Sequence, residues 1–194
     1  MKFSTVAASA VFVFASLASA APHMKRAQVC DLSALPGLTI TTSGDSSGQI
    51  RWDLFQNSGG GIQAGTLAWF GEKQPDGPAQ FRAIASTNGP NIFSFQRSTD
   101  SLQVVASGSG FQGASSGGTE FLVTCTGQCN QAAGDRSLAA SGCTMQVTDG
   151  NGNGTGQCVS WPGGSVVPVE VAQCDGSSSQ QVGVFASFTE PDEE

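Results

Sequence analysis

The sequence predicts an all-β fold of roughly a dozen short strands strapped together by disulfides. Three observations predict it. Short runs of β-branched and aromatic residues recur along the chain, several with a period of two. The 26 glycines fall mostly between those runs, where turns need positive φ. No run beyond the first twenty residues has the 3.6-residue period of an amphipathic helix.

The expected strands follow in order. Residues 38–42 (LTITT) and 50–56 (IRWDLFQ) come first. In the second, Ile50, Trp52 and Leu54 share one face while Arg51 and Asp53 share the other. Residues 66–70 (TLAWF), 80–85 (QFRAIA) and 92–97 (IFSFQR) are aromatic-rich. Residues 102–106 (LQVVA) and 120–125 (EFLVTC) flank a Gly/Ser-rich link. In 143–148, Cys143, Met145 and Val147 oppose Thr144, Gln146 and Thr148. Residues 157–161 (QCVSW) and 166–172 (VVPVEVA) follow; in the latter Val167, Val169 and Val171 oppose Glu170. Residues 181–188 (QVGVFASF) complete the set. Residues 130–141 have room for a turn or two of helix.

Residues 1–20 read as a secretory signal peptide. Lys2 precedes an apolar run from Val6 to Leu17, too short to span a bilayer, and Ala18, Ser19 and Ala20 supply a cleavage site. Residues 21–26 read as a propeptide ending at the dibasic pair Lys25-Arg26; the alternative is an exposed tail left uncut. Residues 27–188 then form one all-β domain, and 189–194 (TEPDEE) an acidic disordered tail. The expected location is secreted and extracellular.

The chain carries 8 basic and 15 acidic residues, net −7. Loss of Lys2, Lys25 and Arg26 leaves 5 basic residues and a net charge of −10. Such a domain has no electrostatic footprint for nucleic acid or an anionic membrane. The one histidine, His23, leaves with the propeptide, and tyrosine is absent. Ser-His-Asp catalysis, Cys-His catalysis and imidazole metal ligation are thereby excluded from the mature domain. An even count of six cysteines in a secreted chain reads as disulfides. A zinc site at Cys125-x3-Cys129 would need reduced thiolates and a second ligand pair, so no metal and no cofactor are expected.

A weak internal repeat organises the strands. IRWDLFQ (50–56), IFSFQR (92–97) and CTMQVT (143–148) each open a unit. TLAWF (66–70), SLQVV (101–105) and QCVSW (157–161) follow them, and QFRAI (80–84), EFLVT (120–124) and QVGVF (181–185) close them. Three units of about four strands sharing one core is the plan of a β-trefoil; a β-sandwich or another small β-barrel is the alternative.

The third unit carries a resemblance to a known family. Gly156-Gln157-Cys158-Val159, Val169-Glu170-Val171-Ala172-Gln173-Cys174 and Gln180-Gln181-Val182 are similar to the repeat of ricin-type (R-type) β-trefoil lectins, over residues 156–185. The resemblance implies a Cys158–Cys174 disulfide. Cys30, Cys125, Cys129 and Cys143 then have three possible pairings. Favoured are Cys143 with Cys125 or Cys129, and Cys30 with the one remaining. The family's sugar site would fall on Ser160, where an acceptor aspartate belongs, and Ala172, where a stacking aromatic belongs. The polar pair is kept as Gln180 and Gln181, but the following tryptophan position holds Gly183. Trp161, beside Ser160, is read first as core and second as a substitute platform. The candidate carbohydrate-binding set is Trp161, Ser160, Glu170, Gln180 and Gln181.

Other motifs carry less. Asn153-Gly154-Thr155 is an N-glycosylation sequon in a turn-rich stretch. Asp149, Asn151 and Asn153 alternate like the start of a calcium loop, but no closing glutamate follows, so a plain turn is expected. Residues 59–61 (GGG) lack the Lys and Ser/Thr of a phosphate loop. Asp45, Asp53, Glu72, Asp76, Asp100, Glu120, Asp135 and Glu170 are scattered, and no spacing pairs two of them for glycoside hydrolysis. The expected function is therefore non-catalytic: a monomeric β-trefoil-like protein binding glycans or cell-wall polysaccharide through a degenerate site. The alternative is a secreted effector, inhibitor or structural protein that contacts a host or wall protein.

Overall fold

The computed structural model describes residues 30–43, 50–55, 62–71 and 81–187. The expected signal peptide, the propeptide with Lys25 and Arg26, residues 59–61, Asp45, Glu72, Asp76 and the acidic tail lie outside the described residues. The described residues form thirteen strands. They are β1 (Leu38–Thr42), β2 (Ile50–Leu54), β3 (Leu67–Gly71), β4 (Phe81–Ala85), β5 (Ile92–Arg97), β6 (Gln103–Ser107) and β7 (Gly110–Ala114). They continue as β8 (Phe121–Cys125), β9 (Leu138–Thr148), β10 (Gly154–Ser160), β11 (Val167–Pro168), β12 (Glu170–Gln173) and β13 (Val182–Ala186). Among the described residues, helix is limited to two 3-10 turns, Leu32–Ala34 and Ser178–Gln180.

The pairings are antiparallel and close on themselves. β1 pairs β13 in register from Leu38↔Ala186 to Thr42↔Val182, and β13 pairs β9. β9 pairs β8, β8 pairs β5, β5 pairs β4, and β4 returns to β1 through Leu38↔Phe81. A longer circuit of nine strands closes through β2, β3, the isolated bridge Thr66↔Gln112, β7 and β6. The described residues thus form a closed antiparallel β-barrel, and closure removes the long open edge that a flat sheet would leave. Hairpins β2–β3, β6–β7 and β10–β12 stand off the shorter circuit.

The inward faces follow the period-two pattern. Trp52 and Leu54 are buried while Arg51 and Asp53 are half-buried on the opposite face. Trp52 sits at the centre of the core, fully buried, with ring centroids of Trp69, Phe81, Phe95 and Phe121 at 6.1, 5.9, 5.7 and 6.2 Å. The contacts with Trp69, Phe81 and Phe95 are edge-on, the geometry aromatic quadrupoles favour. Leu38, Ile40, Met145 and Val184 complete that interior from other strands of the ring.

Three disulfides strap the barrel. Cys125–Cys143 crosslinks a register pair of β8 and β9. Cys158–Cys174 links β10 to the residue after β12. Cys30–Cys129 ties the segment before β1 to the β8–β9 connection.

Three expectations change. Residues 130–141 form no helix: the Thr126, Gly127 and Asn130 amides donate to the carbonyls of Gly142, Ser141 and Ala139, so the β8–β9 hairpin takes the backbone groups a helix would need. Residues 166–172 split in two, β11 pairing β3 and β12 pairing β10. Residues 50–56 do not lie on the six-strand ring. β1, not residues 50–56, holds the place on the ring that β5 and β9 hold, and β2 forms a hairpin with β3. β7, GFQGA, has a single large apolar residue and lacks the alternation that marks the other strands.

Candidate functional site

The β10–β12 hairpin and the turns at its ends hold the five candidate binding residues. Register places Ser160 opposite Glu170 and Cys158 opposite Ala172. Trp161 follows directly. Its backbone N–H donates to the Ser179 carbonyl at 2.8 Å, which draws the 175–181 turn against the start of the hairpin loop. The structure therefore gathers Trp161, Ser160 and the 175–181 turn, with Glu170 across the hairpin.

The side chains are not all offered to solvent. Ser160 is 8 % exposed, and its carbonyl accepts from Trp69 Nε1 at 3.0 Å, which anchors the hairpin to the core. Gln180 is 2 % exposed. Its Oε1 accepts from the amides of Asp175 (2.9 Å) and Gly176 (3.4 Å), and its Nε2 donates to the Gln173 carbonyl at 2.7 Å. That carboxamide is committed to holding the turn, as buried amides generally are. Gln181 is half-buried and donates through Nε2 to the Gly176 carbonyl. Glu170 is exposed. Ala172 and Gly183 leave the hairpin without a ring on either position, and Trp52 and Trp69 are fully buried. Trp161 alone is a half-buried tryptophan; it packs against the core while its Nε1 donates to the Gly164 carbonyl at 2.9 Å.

That last bond braces an exposed loop. Pro162, Gly163, Gly164 and Ser165 are exposed between the half-buried Trp161 and Val166. Val166 has φ of 63°, left-handed backbone that a β-branched residue resists at a cost of about 1–3 kcal/mol. The surroundings hold it there. Val167 pairs with Trp69 and Pro168 with Ala68. Gly71 lets the loop close down: a Cβ there would lie 2.8 Å from Ser165 Cβ. The loop is fixed at both ends and presents its tip to solvent.

Two polar networks escaped the sequence reading. Arg97 is 6 % exposed. Its Nε donates to Asp100 Oδ1 at 2.9 Å, its Nη2 to Asp100 Oδ2, and its Nη1 to the Leu54 carbonyl at 2.6 Å. The Arg97 guanidinium holds the Asp100 carboxyl below its ordinary range. Burial pushes the neighbouring Asp53 carboxyl up, with Arg51 and Arg97 opposing. The i,i+3 spacing of Arg97 and Asp100 around a turn was the available signal. The second network joins three connections. Glu120 accepts from Ser86 Oγ at 2.5 Å and from Asn88 Nδ2 at 2.9 Å, and Asn88 Nδ2 also donates to the Gly150 carbonyl at 3.1 Å. Both networks tie loops and strand ends to one another.

Asn153, of the sequon, is exposed. Asp149 accepts from the Asn151 and Asn153 amides and from Asn153 Nδ2, and the Asn153 carboxamide leads in holding its carboxyl below the ordinary range. The Asp149 turn is thus closed by its own backbone. Among the described residues no group of three or more His, Cys, Asp or Glu side chains is placed to hold a metal ion. No helix among them is long and apolar enough to cross a membrane. No protein-family model matches the chain, and no curated protein matches its sequence.

Proposed function

We propose that this chain is a secreted, non-catalytic binding protein on a β-trefoil scaffold, and that it contacts a partner protein through the 161–168 loop. The observation that carries the proposal is the combination of exposure and fixity in that loop. Its tip is solvent-exposed, while the Trp161 Nε1–Gly164 bond and the β11–β3 pairing hold its ends. A pre-ordered loop loses little entropy on binding, which is why rigid scaffolds present recognition loops. Disulfides suit the oxidising, extracellular setting that the N-terminal sequence implies. The trefoil assignment is supported by the six-strand circuit with three hairpins standing off it. An experimental structure in which the three units superpose by rotation about the barrel axis is the expected result; units that do not superpose would return the fold to a plain barrel.

The functional test is quantitative binding of the purified protein to two sets of immobilised probes, a glycan and polysaccharide array and a panel of extracellular and cell-wall proteins. Saturable binding to a protein, weakened at least tenfold by Gly163→Asp with Ser165→Arg and unaffected by Arg82→Ala, is expected. Binding confined to the glycan probes and abolished by Trp161→Ala overturns it in favour of the second reading. That reading, a carbohydrate site, is favoured by one feature: Trp161 is half-buried on the same hairpin as the exposed Glu170. Against it stand the burial of Ser160 and Gln180 and the missing ring at Ala172.

A further inference from the structure

We propose that the Asn151-Gly152 peptide is a self-modifying site, at which the folded protein converts its own side-chain amide to aspartate and isoaspartate. Three Asn-Gly pairs lie among the described residues: Asn88-Gly89, Asn151-Gly152 and Asn153-Gly154. Each has the chemistry for cyclisation, because glycine puts no Cβ beside the attacking backbone nitrogen and asparagine is the labile amide. The fold separates them.

Asn88 is tied at its amide nitrogen to Glu120 Oε2 and to the Gly150 carbonyl. Swinging its Cγ toward Gly89 N breaks both bonds. Asn153 is held through Nδ2 to Asp149 Oδ2 and through its backbone amide to Asp149 Oδ1. Its neighbour Gly154 already sits in the β9–β10 ladder opposite Thr148, hard against the Gln146 carboxamide. Asn151 differs from both. It is exposed, and it is Asn153 Nδ2, not the Asn151 carboxamide, that donates to Asp149 Oδ2. Its backbone is nevertheless fixed, since Asn151 N–H donates to Asp149 Oδ1 at 2.9 Å. The nucleophile is also available: among the described residues Gly152 N–H makes no hydrogen bond. Gly152 has φ of 84° and is confined, with an added Cβ falling 2.9 Å from the Asn88 carbonyl oxygen. The site combines an exposed electrophile with an unengaged nucleophile.

The reaction needs only water. Gly152 N loses its proton to solvent base and bonds to Asn151 Cγ. The Cγ–Nδ2 bond breaks and the nitrogen leaves as ammonia. Water then opens the succinimide at either carbonyl, giving aspartate or isoaspartate. Both products place a new negative charge beside Asp149. Isoaspartate also inserts one backbone methylene into the connection whose Gly150 carbonyl is held by Asn88.

The test is incubation of the folded, disulfide-intact protein at mildly alkaline pH, with peptide mapping by mass spectrometry and isoaspartate detection at all three asparagines. A reduced, denatured sample runs in parallel. Conversion at Asn151 several times faster than at Asn88 in the folded protein is expected, and the ratio should approach one after denaturation. In isoelectric focusing, Asn151→Gln should remove the major acidic variant that accumulates with time. Conversion at Asn151 no faster than at Asn88, or an acidic variant that persists in Asn151→Gln, overturns the proposal. Asn88 serves as the reference whatever Asn153 carries.

Discussion

Arg97 and Asp100 form a two-point ion pair across the β5–β6 turn, and the same guanidinium reaches back to the Leu54 carbonyl at the end of β2. One buried cation thereby fixes a turn and a strand end from different hairpins. Asp100→Asn leaves the Arg97 charge inside the barrel with a neutral partner. The expected loss is about 2 kcal/mol, less than the 3–5 kcal/mol of a fully buried pair because the Asp100 side chain is 37 % exposed. Urea denaturation at neutral pH measures it, and a loss within error of zero would show the pair to be energetically idle.

Asp53 and Asp100 respond to pH in opposite senses. The Asp100 carboxyl is held down by Arg97, so its contribution is present above the ordinary carboxylate range and is lost as pH falls through its lowered folded value. The Asp53 carboxyl is pushed up by burial, so its contribution is present below that range and is lost as pH rises through its raised folded value. Asp53→Asn removes the second loss. The Tm difference between Asp53→Asn and wild type should therefore become more positive from about pH 3 to pH 7, scanned by calorimetry. A difference independent of pH would contradict the burial of that carboxyl.

The disulfides are not equivalent. Cys30–Cys129 spans 99 residues and Cys158–Cys174 spans 16. On the chain-entropy model these loops are worth about 4.7 and about 3 kcal/mol. Paired Cys→Ala replacement should destabilise more at 30/129 than at 158/174, by roughly 1–2 kcal/mol in chemical denaturation. The reverse order would mean that local packing of the β10–β12 hairpin outweighs loop closure.

Val166→Gly removes a β-branched side chain from left-handed backbone. Relief of the strain exceeds the added freedom of the unfolded chain, so a gain of about 0.5–1 kcal/mol is expected. The same variant should weaken any partner held by the 161–168 loop, because the unbound loop becomes less ordered. Thermal denaturation together with the protein-binding measurement checks both halves.

The barrel was legible where side chains alternate plainly. Ile50, Trp52 and Leu54 announced an inward face, and Cys143, Met145 and Val147 another. β7 was not legible, because only Phe111 faces inward and the rest of GFQGA is small or polar. The division of 166–172 was hidden too, since the alternating valines of VVPVEVA do not say that its two halves pair with different strands. At the candidate site the sequence located the residues but not their direction. Ser160 and Gln180 look like ligand-binding groups in a string of letters. Only the burial of Ser160, and the three bonds of the Gln180 amide, show them working inward. Arg97 and Asp100 could have been guessed from spacing, but the reach to Leu54 crosses 43 positions of sequence and leaves no local trace.

The pairing of β1 with β13 sets the order of assembly. Five consecutive register pairs, from Leu38↔Ala186 to Thr42↔Val182, join the first strand of the barrel to its last. A chain growing from its N-terminus cannot make these contacts until residue 186 has been released from the synthetic machinery. Until then β1 has its outer edge bare, and the hydrophobic face carrying Leu38 and Ile40 lacks Val184 as a neighbour. Cys30 and Cys129, by contrast, are available 57 residues earlier than Ala186, counting from Cys129. The longest crosslink can thus hold the opening segment near the middle of the chain while the ring waits for its final stave.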